Sequence, residues 1–171
     1  RLDGRPYLVI YRADVIPDTA KTLARWRALF KARHQSEPLI FMAQSFGLTD
    51  PAVYGFDGAI EFPPHKVTAG LKPIYDRVEM LDPDYRGNIV SYDEVMDKAL
   101  SEPEPPFPLI KTVYPSWDNN ARRPTAGLIT AGASPAKFQK WLEGAISFAE
   151  RNPVGGQPLV FINAWNEWAE G

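Results

Sequence analysis

Cysteine is absent from the 171-residue chain, so neither a disulfide framework nor a thiolate metal or redox site is open to it. Histidine is scarce as well. His34 and His65 stand far apart with no paired-ligand spacing, which argues against zinc. Charge of neither sign accumulates: 19 Lys and Arg against 21 Asp and Glu leave a net charge of −2, and nucleic acid is not an expected partner. No apolar run is long enough to span a bilayer, and neither a G-x-G-x-x-G fingerprint nor a P-loop is present. With 44% hydrophobic and 23% charged residues, the composition excludes disorder and coiled coil and fits a domain with a core. No signal or transit segment is visible from Arg1 onward, which reads as cytoplasmic. Both ends read as cuts, and residues 1–171 are expected to be one domain that is part of a larger one.

Proline is abundant, at 17 residues, and much of it flanks apolar runs. Pro6–Tyr11, Pro38–Ala43, Gly58–Phe62, Leu109–Tyr114 and Pro158–Asn163 read as strands, with a brief extended segment at Asn88–Val90. Between them lie three helices. Asp18 is the expected N-cap of one running to His34, with Leu23, Trp26 and Phe30 on its inner face. Ser91 and Glu94 form a capping box for a second. Ser134 and Pro135 open a third that runs to Arg151, with Phe138, Trp141, Leu142 and Ala145 inward. Residues 63–86 read as a long proline-punctuated loop.

Strands that are apolar on both faces and alternate with helices imply a parallel α/β sheet, doubly wound or a (β/α)8 barrel. The barrel is favoured because polar and aromatic residues recur just past the strand ends: Tyr11-Arg12, Gln44, Glu61, Trp117-Asp118-Asn119 and Trp165-Asn166-Glu167. Barrel enzymes gather their chemistry at that rim. Five or six strands do not close such a barrel, so the chain is read as the C-terminal portion of a TIM-type (β/α)8 barrel.

The last strand runs into Asn163-Ala-Trp-Asn-Glu-Trp-Ala-Glu-Gly171. A bare E-x-x-E is ordinarily a solvated helix face. Here two tryptophans bracket the glutamates, and a sugar site needs carboxyl groups for acid–base chemistry and flat apolar faces for the ring. Glu167 and Glu170 are therefore the candidate catalytic pair, with Trp165, Asn166 and Trp168 as candidate substrate contacts. Trp117, Asp118 and Asn119 suit sugar hydroxyls, or form a polar turn with an anchoring aromatic. Arg122 and Arg123 suit an acidic sugar or phosphate, or serve as ion-pair partners of Asp118 or Glu167. Tyr11 and Arg12 carry the same ambiguity. His65 is read as ordering its loop through a backbone hydrogen bond, and His34 as a surface residue. No metal or cofactor is expected.

The terminal motif, together with Tyr114-Pro-Ser-Trp-Asp-Asn-Asn-Ala-Arg-Arg123, Phe62-Pro-Pro-His65 and Leu8-Val-Ile-Tyr-Arg12, resembles the glycoside hydrolase family 99-like domain of WbsX-type proteins. The resemblance extends over the whole chain. It implies a (β/α)8 barrel, a bacterial polysaccharide or O-antigen setting, and hydrolase relatives that are retaining endo-acting α-mannosidases. By it Glu170 is the general acid and then base, while Glu167 acts on the sugar 2-hydroxyl, which becomes the internal nucleophile. The relatives carry His where this chain has Ala169, which places the chain nearer the biosynthetic branch. Three roles stand open: a glycoside hydrolase, a glycosyltransferase-type role in lipopolysaccharide or O-antigen biosynthesis, and a non-catalytic glycan-binding module. The partners are an oligo- or polysaccharide and the remainder of the barrel.

Overall fold

The computed structural model describes residues 1–165. Along the chain run β1 (Tyr7–Ile10), α1 (Thr19–His34), β2 (Leu39–Gln44), β3 (Gly58–Glu61), α2 (His65–Thr68), β4 (Asn88–Ser91), α3 (Tyr92–Ser101), β5 (Leu109–Val113), β6 (Trp117–Asp118), β7 (Leu128–Ala131), α4 (Pro135–Arg151) and β8 (Val160–Ile162). Single 3-10 turns lie at Ala13–Val15, Ala52–Tyr54 and Tyr75–Arg77.

Five strands pair in parallel in the order β1-β2-β3-β5-β8. Spatial order follows chain order without reversal, which is how a barrel winds and a doubly wound sheet does not. The sheet is a curled half-barrel with helical crossovers, an α/β fold matching a partial TIM-type barrel. Because successive side chains alternate between faces, each strand supplies two cores. On the helix side Ile40, Met42, Ala59 and Leu109 pack with Leu23 and Trp26 of α1 and Phe148 of α4. On the inner side Phe41, Ala43, Ile60 and Ile110 pack with Tyr7, Phe62 and Phe161. A third core joins α3 and α4 over the end of β5. There Tyr92, Tyr114 and Trp141 meet edge to face at 5.0–5.7 Å between ring centroids.

Caps follow from local sequence in two of the three long helices. Ser91 and Ser134 each accept from the amide three residues on, at 3.5 and 3.3 Å. Asp18 occupies the N-cap position of α1 but sits in the left-handed region and makes no side-chain cap bond. Thr19 does the tying there, its hydroxyl donating to the Ala13 and Ile16 carbonyls.

Glu61 corrects the expected rim set. It lies two residues after Ala59 and therefore shares its helix-facing side. Its carboxylate is buried, receiving the Lys111 ammonium at 2.6 Å and the Thr112 amide at 3.2 Å. Lys111 also donates to the Ala99 carbonyl of α3 at 3.2 Å. Gln44 is likewise buried, its amide donating to the Thr49 carbonyl.

A second sheet, β4-β7-β6, is the feature with the least sequence signal. β4 lies in the connection from β3 to α3, and β6 and β7 lie in the connection from β5 to α4. Both connections leave the C-terminal ends of barrel strands, so the small sheet stands on the rim side. It has its own core of Ile74, Tyr85 and Ile89. Gly87 is required beside it, because a Cβ there would collide with the Gly127 carbonyl and the Tyr85 ring. Among the described residues no helix is long and apolar enough to cross a membrane.

Candidate functional site

The rim is assembled from the segments that follow β1, β2, β3, β5 and β8. After β2 the chain turns sharply through Ser45, Phe46 and Gly47. Phe46 and Gly47 are both left-handed, at φ of 50° and 83°. Glycine adopts that conformation freely, but a bulky side chain there costs about 1–2 kcal/mol. The Ser45 hydroxyl donates to the Tyr11 carbonyl at 2.8 Å, tying the end of β1 to the end of β2.

Four rings from three of these segments converge. The Tyr11 ring lies 4.9 Å from Phe62 and 5.8 Å from Phe46, and His65 lies 4.7 Å from Phe46 and 6.0 Å from Phe62. The Tyr11 hydroxyl and His65 Nε2 are 3.4 Å apart. Among the described residues the His65 ring bonds the Tyr11 hydroxyl and not the expected backbone group. Burial lowers the His65 pKa below its ordinary value, and the nearby positive charge of Arg123 pushes it the same way. The imidazole is therefore neutral at neutral pH, with one donor and one acceptor nitrogen.

Arg12 lies over the Phe46 ring, its guanidinium carbon 4.3 Å from the centroid. Its Nε and Nη2 both donate to Asp14 at 2.8 Å, so the fork that would grip an anion is already occupied. Asn163, just past β8, donates its side-chain amide to the Pro63 carbonyl at 2.6 Å. That bond fixes the exit of β8 against the segment that carries His65.

The β5 side of the rim is built around β6 and β7. Trp117 is half-buried against the α3–α4 core, and its indole N–H is buried without an acceptor among the described residues. Asp118 is exposed, one carboxylate oxygen accepting the Asn120 amide at 2.8 Å. Asn119 is buried, its side-chain oxygen accepting the Leu128 amide at 2.7 Å. Arg122 and Arg123 are exposed, and both backbone amides donate to the Asn119 carbonyl. Arg123 and Asn88 help to line a polar cleft of about 360 Å³ between the end of α2 and the small sheet. Trp165 is 65% exposed, its ring 5.9 Å from Phe138. Asn166, Glu167, Trp168 and Glu170, the core of the expected site, lie outside the described residues, as does Ala169.

The geometry thus joins Tyr11 and Arg12 in one cluster and places Trp117 to Arg123 along the small sheet. It adds Phe46, together with Phe62 and Asn163, which belong to the family-like motifs but not to the candidate site residues. The available signal for Phe46 was an aromatic residue before glycine directly after a buried strand. Flat rings beside hydrogen-bonding groups are suited to binding a polyol, whose ring has apolar C–H faces and hydroxyl edges.

A family model described as Glycosyltransferase WbsX matches residues 1–171. Two relatives, each named uncharacterized protein WxcX and found in two strains of Xanthomonas campestris pv. campestris, are 35% identical over 171 residues. The match covers 100% of this chain and 24% of each relative, so the chain spans about a quarter of the length of these curated relatives. No solved structure matches the chain.

Proposed function

The chain belongs to the glycosyltransferase WbsX family, and from that premise we propose that it acts on glycosidic bonds in bacterial surface polysaccharide metabolism, with Glu167 and Glu170 as the acid–base pair. The observation that carries this reading is the anchored exit of β8: Asn163 holds Pro63 at 2.6 Å. Asn163 is thereby held against the segment that carries Phe62 and His65, and the two glutamates follow it closely in sequence.

In this mechanism Glu170 protonates the departing glycosidic oxygen. Glu167 takes the proton of the neighbouring 2-hydroxyl as that oxygen closes on the anomeric carbon. Glu170, now a carboxylate, then removes a proton from the incoming hydroxyl as its oxygen bonds the anomeric carbon, and Glu167 returns its proton to the 2-oxygen as the three-membered ring opens. Water as that hydroxyl gives hydrolysis, and a sugar hydroxyl gives transfer. The same two groups serve both outcomes, so the fold does not decide between them. Trp165, Trp168 and Trp117 would flank the sugar, and Asp118, Asn119, Arg122 and Arg123 would line its approach. A transferase role is favoured by the family description and by Ala169, where the hydrolase relatives carry His. No metal or cofactor enters the chemistry.

The test is turnover by the full-length protein and its Glu170→Gln variant on α-mannans and bacterial surface polysaccharides, with and without oligosaccharide acceptors. We expect Glu170→Gln to lower kcat by about 10²–10⁴-fold, the usual contribution of a positioned acid–base group, with affinity retained. Full activity in the variant would remove Glu170 from the chemistry. Glycan affinity without turnover in the wild type would leave a binding module.

A further inference from the structure

The cleft of about 360 Å³ between the end of α2 and the small sheet draws its walls from three segments far apart in sequence. These are residues 68–71, Asn88 and Val90 of β4, and the β6–β7 connection through Asn119, Arg123 and Gly127. Asn88 and Val90 face it together because alternate residues of a strand share a side. The Gly127 carbonyl on this wall is already satisfied, accepting the Tyr85 hydroxyl and the Asn88 amide at 2.9 Å each. Arg123 is pinned by its backbone: its amide donates to the Asn119 carbonyl and its own carbonyl accepts the Ala126 amide, both at 3.0 Å. The Arg86 amide fastens the same turn through the Thr125 carbonyl at 2.6 Å. Among the described residues no carboxylate pairs with the Arg123 guanidinium, and none that lines the cleft is acidic. Asp118, at the end of β6, accepts the Asn120 amide instead. Asn119 engages the Leu128 amide through its side-chain oxygen, leaving its NH2 donor for a ligand. His65 opens α2 and Thr68 closes it, so the cleft and the aromatic cluster lie one helical turn apart.

We propose that this cleft is a subsite for a singly charged oxyanion carried by a sugar, with Arg123 as the fork and Asn88 and Asn119 as neutral donors. The oxyanion is the carboxylate of a uronic acid or a phosphodiester, which share the paired oxygens that a guanidinium grips. This rests on the carbohydrate reading above and adds a substrate class to it, an acidic glycan. One guanidinium beside two carboxamides balances one negative charge, whereas a diphosphate would leave charge uncompensated. The volume falls at the small end of ligand sites, roughly 300–1,000 Å³, and suits one sugar residue with its charged substituent. Arg12 cannot take this part, because Asp14 already holds its fork.

The experiment measures the affinity of the full-length protein for three probes by titration calorimetry: an α-linked mannotriose, the mannuronate trisaccharide of the same linkage, and mannotriose bearing one methyl phosphodiester. Wild type should bind at least one charged probe about tenfold or more tightly than the neutral one, as expected for one charge-assisted fork. Which charged probe binds tighter identifies the anion. Arg123→Gln should erase the preference. Asn88→Asp, which sets a carboxylate in the cleft at almost unchanged size, should erase or reverse it by like-charge repulsion. Both side chains are exposed, so both variants should unfold at the wild-type denaturant midpoint, which separates lost binding from lost folding. Equal affinity for charged and neutral probes in wild type, a preference unchanged in Arg123→Gln, or no binding of any probe overturns the inference. Failure of the acid–base reading looks different: normal turnover in Glu170→Gln, with Arg123→Gln still losing the preference for the charged glycan.

Discussion

Glu61 and Lys111 form a charged pair that the proposed chemistry leaves unused, sealed between β3, β5 and α3. Burial pushes the Glu61 carboxyl above its usual range, and the ammonium of Lys111 and the Thr112 amide pull it back. Such a pair adds little net stability when intact, yet removing one partner strands the other in a dry site. Lys111→Met should therefore lower unfolding stability by about 3–5 kcal/mol, and adding Glu61→Leu should recover most of the loss. Urea midpoints of the two variants check this, and a Lys111→Met midpoint equal to wild type would contradict it. The same residues show where reading by position fails. Glu61 sits at a strand end like a rim residue, and only the facing of Ala59 reveals which side it takes. Phe46 is the converse case, an unremarkable letter in the sequence whose backbone and exposure single it out.

At the scale of elements, close approach between strands is as decisive as propensity. Gly58 begins β3 where a Cβ would lie 2.5 Å from both Phe41 and the Pro108 carbonyl. That carbonyl is held by the Ala59 amide at 2.9 Å and has little freedom to move. Gly58→Ala should cost about 1–3 kcal/mol, the range for overpacking a core, read as a lowered thermal midpoint. Full stability in that variant would show that β3 and β5 can separate without penalty. The apolar strands, α3 and α4 were legible because their periodicity and serine caps are local properties. Asp18 was misleading because its backbone is in the left-handed region and its side chain makes no bond to the helix amides. β6 and β7 were not legible. They have two and four residues, and they owe their existence to β4, which arrives from a different connection.

Across the whole molecule, β1 and β8 are the margins of the five-stranded sheet, each with one neighbour among the described residues. Open parallel edges are templates for further pairing. Residues 1–171 expressed alone should therefore self-associate, and light scattering would show it; a monodisperse monomer with a cooperative melt would mean that the edges are protected. Sequence by itself determined the fold class, the apolar strands, the inner faces of the helices and the carboxylate pair as candidates, because periodicity, capping and residue chemistry are carried by neighbours along the chain. Tertiary structure alone decided which face Glu61 takes, that two distant connections zip into a rim sheet, and that Tyr11, Phe46, Phe62 and His65 meet. Those outcomes depend on contacts between segments far apart in sequence, whose energies no local pattern encodes.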